Sequence, residues 1–225
     1  MGIQLEPFFR YYKGNPEAPH QVEAVRMLEE LMPSSLLSVN AAWVKKYRES
    51  VPDKVLDVKY FYQTDNGPTG WRQCQTSSIA MCLNFLGVNG IDDDLDYLRV
   101  VQKYGDTTLQ SSHQQALREL RVDGRFRTDL GKADLISEIE HGCPCAIGIL
   151  HHGSLANGPR GGGHYITLRG VTDTAALVHD PFGSLDLERG VWLGTGPEDG
   201  KDEIYAWNNL LPRFDIGGGW GWVFS

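Results

Sequence analysis

Up to His141 the apolar residues of this chain recur mainly at helical spacing, and from Ala146 onward they come in short runs separated by turns. That single change of period constrains the fold more than any other feature. Helices first and strands later predict an α+β domain with a mostly antiparallel sheet rather than repeating βαβ units. Helices are expected over residues 77–86, 93–103, 112–120 and 132–141, with Gly87 and Gly142 as stops for the first and last. Strands are expected over 146–150, 165–171, 175–179 and 220–224, preceded by a short one over 57–62 rich in Val, Tyr and Phe. Gly161, Gly162 and Gly163 read as a flexible approach to the strand at 165, and residues 66–70 as a Gly/Pro/Asn loop.

Ahead of this domain, Val22, Val25, Leu28 and Met32 recur at helical spacing, and a second helical stretch carries Leu36, Leu37, Val39, Trp43, Val44 and Tyr47. Pro33 and Pro52 close the two stretches. The expected division is therefore a helical arm over 1–54 and a main domain over 55–225. With 41% hydrophobic residues in 225, the chain can build a core, which excludes wholesale disorder. The net charge of -8 and the lack of a basic run argue against nucleic acid or an anionic membrane as partner. No apolar run approaches the roughly 20 residues of a membrane span. Residues 1–12 lack a secretory-signal pattern, so synthesis in a cytosol is expected, wherever the protein acts.

Four cysteines are too few for a disulfide scaffold, and no spacing among them fits a four-ligand metal site, so neither metal nor cofactor is expected. A single reactive thiol is the better lead. Cys74 stands at the N-terminal edge of the helix predicted from 77, where the macrodipole and free backbone N–H groups favour an anion, the nucleophilic form of a thiol. The polar run Gln75, Thr76, Ser77, Ser78 behind it suits the floor of a cleft better than a core. Cys82, Cys143 and Cys145 read as structural. His164, at the mouth of a strand, is the candidate general base, with His151 and His152 as its nearest rivals. Asp180 ends the next strand. A tight connection through Thr172, Asp173 and Thr174 would return it beside His164, where it can orient the ring. The acidic run Asp92, Asp93, Asp94 reads as a helix cap rather than a calcium loop. Trp71, Trp192, Trp207, Trp220 and Trp222 are candidates either for a substrate groove or for the core.

Gln63 within Tyr62-Gln63-Thr64-Asp65-Asn66, Cys74 opening an apolar helix, Gly163-His164-Tyr165 and Asp180-Pro181 together resemble the papain-fold cysteine peptidases of the bacteriocin-leader-processing, C39-like type. The stand-alone branch often encoded by bacteriophages is the nearest in pattern. The resemblance spans about 58–183, with 220–224 as a weaker terminal echo. It implies a papain-like fold, Cys74 as nucleophile, His164 and Asp180 completing a triad, and Gln63 as oxyanion donor, with Gln73 as the rival for that last role. It further implies amide hydrolysis by an acyl-enzyme route, with a peptide or a peptidoglycan stem peptide or cross-bridge as substrate, and an endolysin-like action at a host cell wall. A transglutaminase-like acyltransferase and an inactive structural or virion protein are the alternatives. Oligomeric state is not legible.

Overall fold

The computed structural model describes residues 54–216 and 218–224. The two expected arm helices lie outside the described residues. Its first half runs β1 (Lys54–Val55), α1 (Cys74–Phe85), α2 (Asp94–Gln102), α3 (Gln110–Glu119), β2 (Gly124–Arg127) and α4 (Lys132–His141). Then follow β3 (Cys145–His152), β4 (Arg160–Val171), β5 (Ala175–His179), β6 (Ser184–Asp186), β7 (Val191–Gly194), β8 (Glu203–Ala206), α5 (Trp207–Phe214) and β9 (Trp220–Phe224). Every strand pair is antiparallel. The main sheet runs β2-β9-β3-β4-β5-β8, β1 pairs with the end of β4, and β6 and β7 form a separate hairpin. The protein is α+β, in the order the change of period predicts.

α1 is buried on all sides, since every residue from Gln75 to Leu83 is inaccessible to solvent. It packs on β4 and β3 and against α2. Ile79, Met81 and Leu83 each contribute roughly 1.5–3 kcal/mol by burial, which fixes the helix and with it the position of its first residue. Of the polar side chains on this buried helix, Ser77 has a partner, while Gln75 Nε2, Thr76 Oγ1 and Ser78 Oγ have none among the described residues. Ser77 donates to Asp94, which also accepts from Asn66 Nδ2 at 2.7 Å, and Thr167 of β4 ties the helix backbone to the sheet by donating to the Ser78 carbonyl at 3.1 Å. The acidic run is thus a cap in part. Asp93 makes a capping box with Asp96 at the start of α2, while Asp94 turns inward and holds the 63–66 loop against α1.

Three expectations need correction. Residues 57–62 form no strand, although Val58 and Phe61 are buried. The backbone there bonds elsewhere: the Val58 carbonyl accepts from His179 Nε2 at 2.8 Å, and the Gln63 N–H donates to the Pro181 carbonyl at 2.9 Å. Gly161 to Gly163 are not a flexible approach but part of β4, with Gly163 opposite Leu150 and Arg160 opposite His152. His164 therefore sits inside a strand rather than at its mouth. Thr76, Ser77 and Ser78 are fully buried, so they belong to the interior and not to a cleft floor.

Candidate active site

α1 begins at Cys74 itself, three residues earlier than the pattern predicts, so the thiol stands at the first helical position, half-buried and free. A tight turn, Gly70–Arg72, delivers the chain to it. A Cβ on Gly70 would overlap the Gln63 carbonyl, so glycine is required where the two turns touch. In β4, His164 pairs with Ile149 of β3, and three residues on, Thr167 pairs with His179 of β5. This register brings the residue after β5 back alongside His164. His164 Nε2 lies 2.7 Å from Asp180 Oδ1, leaving Nδ1 for the Cys74 thiol, which is within hydrogen-bonding reach of the ring.

Asp180 is wholly buried, and its carboxylate is correspondingly well supplied with donors. Besides the imidazole, Oδ1 accepts from the Phe182 N–H at 3.0 Å and Oδ2 from the Tyr205 hydroxyl at 3.2 Å. Its backbone is fixed as well, by Asp180 N–H to the Gly200 carbonyl at 2.7 Å and by the Tyr60 hydroxyl to its own carbonyl at 3.1 Å. Burial alone would push His164 toward the neutral form. The Asp180 charge and hydrogen bond, and then Cys74, outweigh it and raise the ring to about 10. At neutral pH the imidazole is therefore a cation held between a carboxylate and a sulfur.

A cleft of about 850 Å³ opens over Cys74 and His164, within the size range of small-molecule and peptide sites. One wall carries Trp71, Arg72 and Thr108 on turns with Gln110 at the start of α3, and the other carries His151 and His152 of β3, Phe182 and Trp192 of β7. Trp192 meets the His164 ring edge-on at 5.2 Å and packs on Phe182 at 4.7 Å, screening the imidazole from water. His151 lies 5.6 Å from His164, and burial followed by its two histidine neighbours lowers its pKa to about 4, so at neutral pH it adds no charge. Trp220 completes the floor. Its indole rests on Gly148, where a Cβ would overlap the ring, and beside Gly163.

Cys74, His164 and Asp180 are thus brought together, while the fourth candidate is adjacent rather than in the cleft. Gln63 is buried, its Nε2 donates to the Gly70 carbonyl at 2.9 Å, and it does not line the cavity. Gln73 is also buried, donating to Thr69 Oγ1 at 2.9 Å, and is likewise absent from the lining. His179 is structural, held neutral by burial between Val58 and Asp202. Cys82 and Cys145 are buried in the core, and Cys143 is free and half-buried away from the cleft. Of the tryptophans, Trp71, Trp192 and Trp220 line the cleft, and Trp207 and Trp222 are core. Gln75, read as part of a cleft floor, does line the cavity, whereas sequence reasoning missed Tyr205, Phe182 and Arg72. The first two meet Asp180 only through strand pairing and a turn. Arg72 stands on a short turn whose sequence carries no periodic signal of which side chain faces the cleft.

Comparison with known proteins gives the family. The Peptidase_C39 like family matches residues 55–197, and the chain belongs to it. Among solved structures, a protein described as a C39-like peptidase from Bacillus anthracis is similar at 15% identity, with a TM-score of 0.48, over 77% of this chain and 98% of that one. No curated protein matches the sequence. The α+β architecture with its antiparallel sheet is in keeping with a C39-like peptidase fold. Among the described residues, no helix is long and apolar enough to cross a membrane.

Proposed function

We propose that the protein is a cysteine peptidase or amidase that hydrolyses an amide bond with Cys74 as nucleophile, His164 as proton carrier and Asp180 as the group that orients and charges the ring. The observation that carries this reading is the His164 imidazole held between Asp180, at 2.7 Å, and Cys74 at the floor of an open cleft. A cationic ring beside the sulfur favours the thiolate, which attacks the carbonyl carbon. The ring then gives its proton to the leaving nitrogen and takes one from the water that releases the acyl group. The backbone N–H of Cys74, at the start of α1, faces the developing oxyanion, with the Gln63 side chain as second donor.

A side-chain amide carries two N–H bonds. Gln63 spends one on Gly70 and lies behind the cleft lining, so the role we assign it requires its second N–H to turn toward Cys74 as the oxyanion forms. Such a donor acts only as charge develops, so Gln63→Ala is expected to lower kcat about a hundredfold or more with little change in KM. Alkylation of Cys74 builds no oxyanion and should persist in that variant. Gln73→Ala is the comparison. It removes a buried bond to Thr69, so its thermal midpoint is measured alongside, and a kcat loss without a stability loss there would move the role to Gln73.

The substrate we propose is a peptide of bacterial peptidoglycan, a stem peptide or cross-bridge, reached by a phage-associated enzyme acting at the host wall. The resemblance to the stand-alone, phage-encoded branch supports this choice. Mass spectrometry of purified peptidoglycans incubated with the protein is the test. New amino termini within the peptide moiety are the expected result. Cleavage of unrelated peptides alone would sink the cell-wall assignment, and amine incorporation in place of hydrolysis would make the protein an acyltransferase.

A further inference from the structure

The cleft has a charge composition at odds with the rest of the chain. The sequence carries 29 acidic against 21 basic residues, yet among the described residues no Asp or Glu lines the cavity, and Arg72 is its one Lys or Arg. Arg72 also stands two residues before Cys74, on the turn that delivers the chain to α1. Its guanidinium is braced rather than consumed. Nη2 donates to Asp106 Oδ1 at 2.9 Å and to Thr108 Oγ1 at 3.4 Å, and the Trp71 ring lies 6.0 Å away. Nε and Nη1 make no hydrogen bond among the described residues, and the side chain is 36% exposed. Asp106 cannot absorb the whole charge of its partner, because the same Oδ1 also accepts from the Thr108 N–H at 2.8 Å and from its hydroxyl at 2.7 Å. An exposed, monodentate pair of this kind is a weak one. What it does well is hold a planar donor group in one place.

We propose that Arg72 is a specificity-determining residue that pairs with a carboxylate of the substrate near the scissile amide, so that the cleft selects acidic acyl or leaving groups. The proposal deepens the peptidase reading and rests on it. Arginine suits the task because its N–H groups are fixed in a plane that matches carboxylate geometry. Trp71, 69% exposed at the cleft mouth, shields one face of the guanidinium and strengthens the pairing by excluding water. The opposite wall adds no competing anion, since the Asp180 carboxylate is fully buried behind His164.

Two small reagents that differ only in charge test this without a known substrate. Iodoacetate and iodoacetamide both alkylate a thiolate, forming an S–C bond as iodide leaves, but only the first brings a carboxylate. Second-order rates at Cys74 are measured for both at neutral pH, in the wild type, Arg72→Gln, Arg72→Lys and Asp106→Asn. The iodoacetate-to-iodoacetamide ratio is expected to fall about fivefold in Arg72→Gln, the size of a half-exposed charge pair, and less in Arg72→Lys. It should rise in Asp106→Asn, where the competing anion is gone. In the wild type the ratio should also fall with added salt. A ratio unchanged by Arg72→Gln overturns the proposal, even where both reagents react quickly. A folded wild type whose Cys74 reacts no faster with either reagent than Cys143 fails differently, because it removes the peptidase reading itself.

Discussion

Replacing Cys74 with alanine is expected to abolish amide hydrolysis, by on the order of 10⁴-fold or more, while leaving the thermal midpoint within a degree or two of the wild type. The size of the first effect follows from chemistry. Without the sulfur there is no acyl-enzyme, and the remaining donors and binding contacts contribute only the residual catalysis of a site without its nucleophile. The smallness of the second follows from where the residue sits. Cys74 is half-buried at the first position of α1, and the interactions that fix the helix come later, from Ile79, Met81, Leu83 and the Ser77–Asp94 contact. Activity and unfolding are measured on the same preparation. A thiol probe at neutral pH supplies the complementary readout: it should label Cys74 ahead of Cys143 and leave the buried Cys82 and Cys145 unmodified in the native protein. Hydrolysis at the wild-type rate by the alanine variant would remove Cys74 from the mechanism and turn attention to Cys143.

Much of this site was legible because its parts lie at the ends of elements that announce themselves. α4 ends at Gly142 and β5 ends at His179 as the pattern of apolar runs and stops predicts, and the tight connection before β5 is what returns Asp180 to His164. The start of α1 was read three residues late because Cys74, Gln75 and Thr76 carry no apolar signal. A helix buried on every side has no contrasting face to reveal its ends. β2, the β6–β7 hairpin, β8 and α5 were not anticipated. The four strands are short, three or four residues each, and β2 and β8 pair with strands distant in sequence, so local pattern holds little of their information.

The glycines at 161–163 show a different failure. Their composition reads as a loop, yet the strand persists because β3 supplies its ladder partners and the missing side chains leave room for neighbouring rings such as those of His152 and Trp220. Glycine here marks close approach rather than flexibility. The same tertiary logic hid Tyr205 and the contact that Trp192, read as a groove or core residue, makes with His164. Both contacts exist only once β8 and the β6–β7 hairpin bring these rings to the His164–Asp180 pair.

His164→Ala and Asp180→Ala should separate the two roles of the pair. In the mechanism proposed above, loss of the imidazole removes both the charge beside the sulfur and the proton donor for the leaving nitrogen, so a fall approaching that of Cys74→Ala is expected. Asp180 neither attacks nor transfers a proton, and its removal is expected to cost less, on the order of 10²- to 10⁴-fold. Its distinctive signature is in pH. The Asp180 charge is the leading influence that opposes burial and lifts His164 to about 10. In Asp180→Asn that influence disappears and burial dominates, so the ring should lose its proton well below the wild-type value, and the alkylation rate of Cys74 should acquire a pH dependence at lower pH. Stability responds with a defined sign. A histidine whose native pKa lies above its unfolded value of about 6.5 stabilises the native state fully below that pH, and the contribution is lost as pH rises toward 10. Wild-type stability should therefore decline across that alkaline window, and the part owed to this pair should be missing in Asp180→Asn. A variant that keeps both the wild-type alkylation profile and the alkaline decline would show that the 2.7 Å contact does not charge the ring.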